Sequence, residues 1–266
     1  MDDLERLAEE IGNADTVVAL TGAGISAPSG VPTFRGDDGV WKRFEEGQFT
    51  YGRFQRDPAG FWTDRLELYE TMFDGDVAPN AAHEALADLG ESGHLEAVAT
   101  QNTDGLHAEA ARAVTDDDPD PGTVPETGAE LLELHGNAHR VRCVDCGRQR
   151  PNDPILERIR DGDLPPRCEC GGVYKPDVVL FGEQLSAATL QRSQSLARES
   201  DVFLAIGSSL VVEPAASLPR QAGRSGGTVG IVNLEETPHD GTAAVVLRED
   251  VTDVLPRLRD AVDRRC

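Results

Sequence analysis

Apolar residues along this chain follow two alternating rhythms. Leu4, Leu7, Ala8 and Ile11 recur at three- and four-residue spacing, which predicts a helix over residues 2–11 with one apolar face. Thr16-Val-Val-Ala-Leu20 is instead an unbroken apolar run of strand length that ends in the turn Thr21-Gly-Ala-Gly24, a pattern expected of a buried parallel strand. The alternation continues. Helices are predicted at 81–89, 190–198 and 251–262, and strands at 94–100, 178–181, 202–206, 228–233 and 245–247, with 130–134 leading into His135-Gly136. Residues 36–75 are rich in aromatics and charge and read as short helices forming a subdomain or lid, whereas acidic, proline-rich 115–122 reads as a solvated loop. Strands alternating with helices predict an α/β fold with a doubly wound parallel sheet. Gly22, Gln101-Asn102, Gly207-Ser208 and Asn233 all follow predicted strands, and ligands of such sheets bind at the carboxyl ends of the strands.

With 266 residues, 39% of them hydrophobic, the chain can bury one large domain or one domain plus a smaller module. No continuous apolar run is long enough to span a bilayer, and the acidic, amphipathic start MDDLERLAEE does not read as a secretory signal. A cytoplasmic location without a membrane partner is therefore expected. Asp and Glu number 48 against 25 Lys and Arg, for a formal charge of -23, and lysine occurs only at Lys42 and Lys175. Acidic residues spread along the whole length suit a halophilic setting, because at about 1 M salt the Debye length is roughly 3 Å and like charges are screened. The same charge argues against a nucleic-acid partner.

Gly22-Ala-Gly24-Ile-Ser-Ala27 fits the G-x-G-x-x-A pattern, in which glycines let the backbone approach a pyrophosphate and a following helix points its N-terminus at the charge. A tight turn without ligand explains the motif nearly as well. Cys143-x-x-Cys146 and Cys168-x-Cys170, flanked by Gly and Pro turns, suit one zinc held tetrahedrally by four thiolates, structural because no position stays open. A redox role for the first pair is the alternative, and Cys266 stands apart as a tail residue. Amide and carboxylate groups in Gln101-Asn-Thr-Asp104-Gly-Leu-His107 suit sugar hydroxyls, though Asx-turn chemistry explains them equally. His135 titrates in a range suited to a general base, while a lone histidine is more often structural.

Taken in order, Gly22–Ser26, Gly30-Val-Pro-Thr-Phe-Arg35, Gln101–His107, Leu134-His-Gly136, the four cysteines, Lys175–Glu183, Gly207-Ser-Ser-Leu210 and Asn233-Leu-Glu235 resemble the sirtuin family, in a prokaryotic and halophile-like form. The resemblance implies a Rossmann-like NAD-binding domain (1–35, 76–138 and 176–266) and a small domain built from a helical insertion (36–75) and a zinc ribbon (139–175). It implies NAD-dependent removal of acetyl or other acyl groups from protein lysines, with NAD consumed. The acyl oxygen displaces nicotinamide from the ribose, His135 takes a proton from a ribose hydroxyl, and acyl-ADP-ribose is released. His135 and Asn102 are the implied catalytic residues. Ala23, Ile25, Pro32, Phe34 and Arg35 would surround the phosphates and nicotinamide pocket, and Gln101, Asn102 and Asp104 the ribose and nicotinamide. Gly207, Ser208, Asn233 and Glu235 would hold the adenosine half, with Val251 against adenine. Gly22, Gly24, Ser26, Thr33, Trp41, Thr103, Ser209 and Leu234 complete the implied NAD set. Val179, Leu180, Phe181 and Gly182 would pair with the backbone of an acyl-lysine peptide. Arg65 and Leu68 occupy the positions where one branch carries a Tyr-x-x-Arg pair for acidic acyl groups. With the pair absent, Arg65 is expected at the surface and acetyl-lysine is the expected substrate. Desuccinylation and protein ADP-ribosylation are the alternatives.

Overall fold

In the computed structural model, which describes residues 2–33, 39–115 and 128–265, the apolar rhythms become layers. Helix α1 (Asp3–Asn13), capped by Asp2, buries Leu4, Leu7, Ala8 and Ile11, and strand β1 (Val17–Thr21) is buried at every position. The insertion supplies α2 (Tyr51–Arg56) and α3 (Pro58–Met72), the latter started by an Asp57 cap and Pro58 at its first position. Then come α4 (Ala81–Glu91), β2 (Ala97–Thr100), α5 (Leu106–Thr115) and β3 (Glu130–Glu133). The cysteine module follows, with β4 (Gly136–Cys143), β5 (Gln149–Pro151), α6 (Asp153–Arg160) and β6 (Tyr174–Val178). The chain returns through α7 (Ala187–Glu199), β7 (Val202–Ile206), α8 (Leu218–Ser225), β8 (Thr228–Val232), β9 (Val245–Leu247) and α9 (Val251–Asp263).

Six parallel strands form one sheet in the order β3-β2-β1-β7-β8-β9, and β5-β4-β6 form a separate antiparallel sheet. One face of the large sheet packs on α1, α4 and α9, the other on α7 and α8. A third core joins the insertion to the small sheet around Phe61 and Trp62, both fully buried, with Trp62 Nε1 donating to Tyr174 O at 2.8 Å. Burying each of these side chains contributes roughly 1.5–3 kcal/mol.

Two readings are corrected. The strand expected at 178–181 lies at Tyr174–Val178, in the small sheet. It stops because Glu183 turns the chain: its carboxylate accepts from Leu180 N (2.9 Å) and its own N–H donates to Leu180 O (2.9 Å). No α-helix follows the glycine motif. Two short 3-10 turns, Ala23–Ile25 and Ala27–Ser29, stand there and end at Gly30. Helices α5, α6 and α8 were not anticipated. Most of the expected acidic loop, with Phe34, Arg35 and Cys266, lies outside the described residues.

Candidate active site

The order of the large sheet reverses between β1 and β7, where such folds bind ligands. The turns leaving these strands interlock. Gly22 N–H donates to Ile206 O (3.0 Å) and Gly24 N–H to Gly207 O (2.8 Å). A Cβ on Gly24 would lie 2.8 Å from Gly207 Cα, and one on Gly207, at φ +58°, only 2.4 Å from Ile25 N. Glycine is therefore required on both sides of this crossing.

Above the crossing opens a cleft of about 740 Å³. Gly22, Ala23 and Gly24 line it from β1, and Gly207, Ser208 and Ser209 from β7. Asn233, Leu234 and Glu235 reach it from β8, and Val251 from the start of α9. Gln101, Asn102, Thr103 and His135 close its centre, with Thr33 and Trp41 on the insertion side and Val179–Gly182 along the rim. Ile25, Ser26, Pro32 and Asp104 are not among the lining residues: Ile25 is fully buried in the core, and Ser26 and Asp104 are buried. Pro28, Leu185, Val212, Glu213 and Asp250 also line the cleft and were not singled out from sequence. Asp250 had a readable signal, since it is the N-cap of α9 and accepts from Thr252 N at 2.8 Å.

Hydrogen bonds fix the central groups. His135 Nδ1 lies 2.9 Å from Gln101 O; a carbonyl only accepts, so Nδ1 carries the proton and Nε2 keeps its lone pair. Burial lowers the His135 pKa below the ordinary imidazole value, although the Gln101 contact pulls the other way, so the ring stays neutral. Asn102 Nδ2 donates to Gly22 O (3.1 Å) and Ser26 Oγ (3.0 Å), which leaves its amide oxygen as the group it offers outward. Ser208 Oγ donates to Gln101 Oε1 at 2.8 Å. Burial raises the Asp104 pKa. At the rim, Phe181 N–H donates to Phe49 O (3.2 Å) and its carbonyl accepts from Tyr51 N (3.0 Å), so the insertion occupies one edge of this segment. The Phe181 ring meets Trp41 at 5.3 Å between centroids.

Arg65 is not a surface arginine. It lines the cleft with Leu68, and burial pulls its pKa down to about 10. Among the described residues no carboxylate pairs with it.

The four cysteine sulfurs lie within 4.8 Å of one another, with Cys143 to Cys170 at 3.5 Å and Cys146 to Cys168 at 3.8 Å. Zinc–sulfur bonds of about 2.3 Å in a tetrahedron put sulfurs about 3.8 Å apart, so the cluster fits one zinc ion. Backbone amides lower the pKa of Cys168 to about 6 and, against burial, that of Cys143, whereas the neighbouring sulfurs push Cys170 up to about 12.

The sequence model described as the Sir2 family matches residues 22–214. The chain belongs to the Sir2 family. This Sir2 match spans the glycine turn, His135 and all four cysteines. Among Sir2 relatives, a protein of Haloarcula marismortui named NAD-dependent protein deacetylase is 52% identical, over 97% of this chain and 94% of its own. One of Aeropyrum pernix named NAD-dependent protein deacylase is 42% identical over 98% of each. A solved Sir2 structure with a p53 peptide and NAD+ is 34% identical, covers 98% of both chains and superposes with a TM-score of 0.81.

Proposed function

We propose that this protein removes acetyl groups from protein lysines, consuming NAD and releasing nicotinamide and O-acetyl-ADP-ribose. The observation that carries the reading is His135: a neutral, half-buried imidazole whose tautomer is fixed, beside Asn102, in a cleft built on the β1–β7 crossing. NAD supplies the electrophilic ribose carbon. The backbone of Gly22–Gly24 and Gly207–Ser208 approaches its phosphates, Asn233 and Glu235 hold the adenosine half, and Gln101, Asn102 and Asp104 order the nicotinamide ribose. Asn102 presents its amide oxygen to the leaving end. Once the acyl oxygen has displaced nicotinamide, His135 Nε2 takes a proton from a ribose hydroxyl, so that this oxygen attacks the acyl carbon, and water then releases the free lysine and O-acetyl-ADP-ribose. Val179–Gly182, along the rim of the cleft, pairs with the backbone of the peptide in this reading. One zinc on the four cysteines holds the small sheet and takes no part in the chemistry.

In this reading the helical insertion and the zinc ribbon make up the small domain, and the insertion lines the cleft through Trp41, Phe49, Arg65 and Leu68. No described helix is long and apolar enough to cross a membrane. Four cysteines kept as thiolate ligands suit a reducing cytoplasm.

Arg65 favours a second reading, in which an acyl chain ending in a carboxylate is also accepted. A desolvated guanidinium without an acidic partner suits bidentate pairing with such a group. One experiment tests both readings: acetylated and succinylated peptides with NAD in molar salt, products followed by mass spectrometry. His135→Ala is expected to lose about 10²-fold or more in rate on either peptide. Equal activity of wild type and His135→Ala would remove the mechanism. Arg65→Met is expected to lower the succinyl-to-acetyl rate ratio by about tenfold, the loss of a charged hydrogen bond. An unchanged ratio removes the second reading alone.

A further inference from the structure

The loop after β2, residues 101–105, carries Asn102 and Asp104, and β4 holds two of its carbonyls. Ala138 N–H donates to Thr103 O at 2.7 Å, and His139 Nε2 lies 2.8 Å from Asp104 O. The other ring nitrogen, Nδ1, lies 3.0 Å from the hydroxyl of Tyr69 on α3. Because a carbonyl only accepts, Nε2 must carry the proton; in the neutral ring Nδ1 is then an acceptor and Tyr69 its donor. Burial pushes the Tyr69 hydroxyl up to about 12, so it keeps the proton it donates. The imidazole is exposed to solvent on one side and meets two aromatic rings. Its centroid lies 4.8 Å from that of Phe73 and 5.8 Å from that of Tyr69. A Cβ on Gly105 would sit 3.3 Å from His139 Cδ2, so the ring packs directly on the loop backbone.

Gly105 has φ +77°, and glycine crosses between backbone regions at little steric cost. The Asp104–Gly105 peptide plane is therefore the part of the loop with most freedom to turn, and its carbonyl is the atom that His139 holds. Neither Tyr69 nor His139 lines the cleft, and the reaction proposed above uses neither side chain.

We infer that Tyr69 and His139 form a directed hydrogen-bond relay from the helical insertion to the 101–105 loop, acting as positioning residues that set Asn102 and Asp104 for NAD. The relay rests on the reading of this cleft as the NAD site. It couples the two sides of the cleft: the donor comes from α3 and the held carbonyl from the large-sheet side. When the donor is lost the peptide plane turns, and the loop offers NAD a mixture of geometries.

The test uses Tyr69→Phe, His139→Phe and His139→Gln in high salt, with NAD and acetylated peptide titrated separately and NAD binding followed by calorimetry. The two Phe variants are expected to raise KM and Kd for NAD about threefold to tenfold, the loss of one neutral hydrogen bond, with peptide KM unchanged at saturating NAD. His139→Gln, whose side-chain amide carries a donor near the place of Nε2, is expected to recover most of the loss. Unchanged NAD affinity in both Phe variants would overturn the relay. So would a Gln variant no better than Phe, or equal rises in KM for NAD and peptide that track a fall in melting temperature. Wild-type enzyme that binds no NAD would instead overturn the cleft reading on which the relay stands.

Discussion

Two histidines four residues apart are held in opposite tautomers. Gln101 O puts the proton of His135 on Nδ1, and Asp104 O puts that of His139 on Nε2. The sequence displayed both as histidines near a strand and offered no means of telling them apart, because the distinction is which nitrogen meets a carbonyl. Arg65 was more legible than its expected surface position allowed. It follows Trp62 by three residues and precedes Leu68 by three, so a helical period places it on the face that buries both. A pH prediction belongs at this scale. His135 works as a base only when neutral, and burial lowers its pKa beneath the ordinary 6.5. The active form is therefore present at neutral pH and is lost only as pH falls through the lowered value. In a profile of kcat/KM, which reports the free enzyme, the acid limb is expected to have its midpoint below 6.5. A midpoint above that value would contradict the assignment of burial as the dominant influence on His135.

At the scale of elements, β1, β7 and β8 were readable because they are buried on both faces along nearly their whole length and so present short apolar runs. Helices α5, α6 and α8 were not. α8 buries only Leu218, Pro219 and Ala222, and α6 lies inside a module whose cysteines dominate its pattern. The strand edge at 178–181 was misplaced because Glu183 folds back on Leu180, a contact that an apolar run does not reveal. The zinc cluster, by contrast, was legible from spacing, since each thiol pair sits in a turn of its own. Cys143 and Cys168 also belong to the core that packs α3 against β4 and β6, so the metal supports the insertion as well as the ribbon. Cys146→Ser is expected to lose stoichiometric zinc and to speed amide exchange in β4 and β6 by about tenfold or more, the mark of at least 1.4 kcal/mol of local stability. Elemental analysis and hydrogen exchange check this together. Full protection without bound metal would show that the thiols pack the ribbon unaided.

For the whole molecule, the charge of -23 acts on stability and on both substrates, in different directions. Self-repulsion opposes the folded state until salt screens it, so the melting temperature is expected to rise steadily between about 0.1 M and molar salt, as the Debye length falls from about 10 Å to roughly 3 Å. A melt indifferent to salt would mean that the acidic surface is neutralised locally by its arginine pairs, such as Arg192 with Glu130 and Arg257 with Glu249. Catalysis separates the two substrates further. NAD brings a negative pyrophosphate to a negative protein, and screening that repulsion is expected to lower its KM as salt increases. A peptide rich in lysine is attracted by the same field, and screening is expected to raise its KM. Steady-state titration of each substrate at several salt concentrations reads both slopes, within the range where the protein stays folded. Opposite signs would assign the salt response to the long-range field. Equal signs would rule out the long-range field as the cause, because loss of folded enzyme lowers the maximal rate and leaves both KM values unchanged.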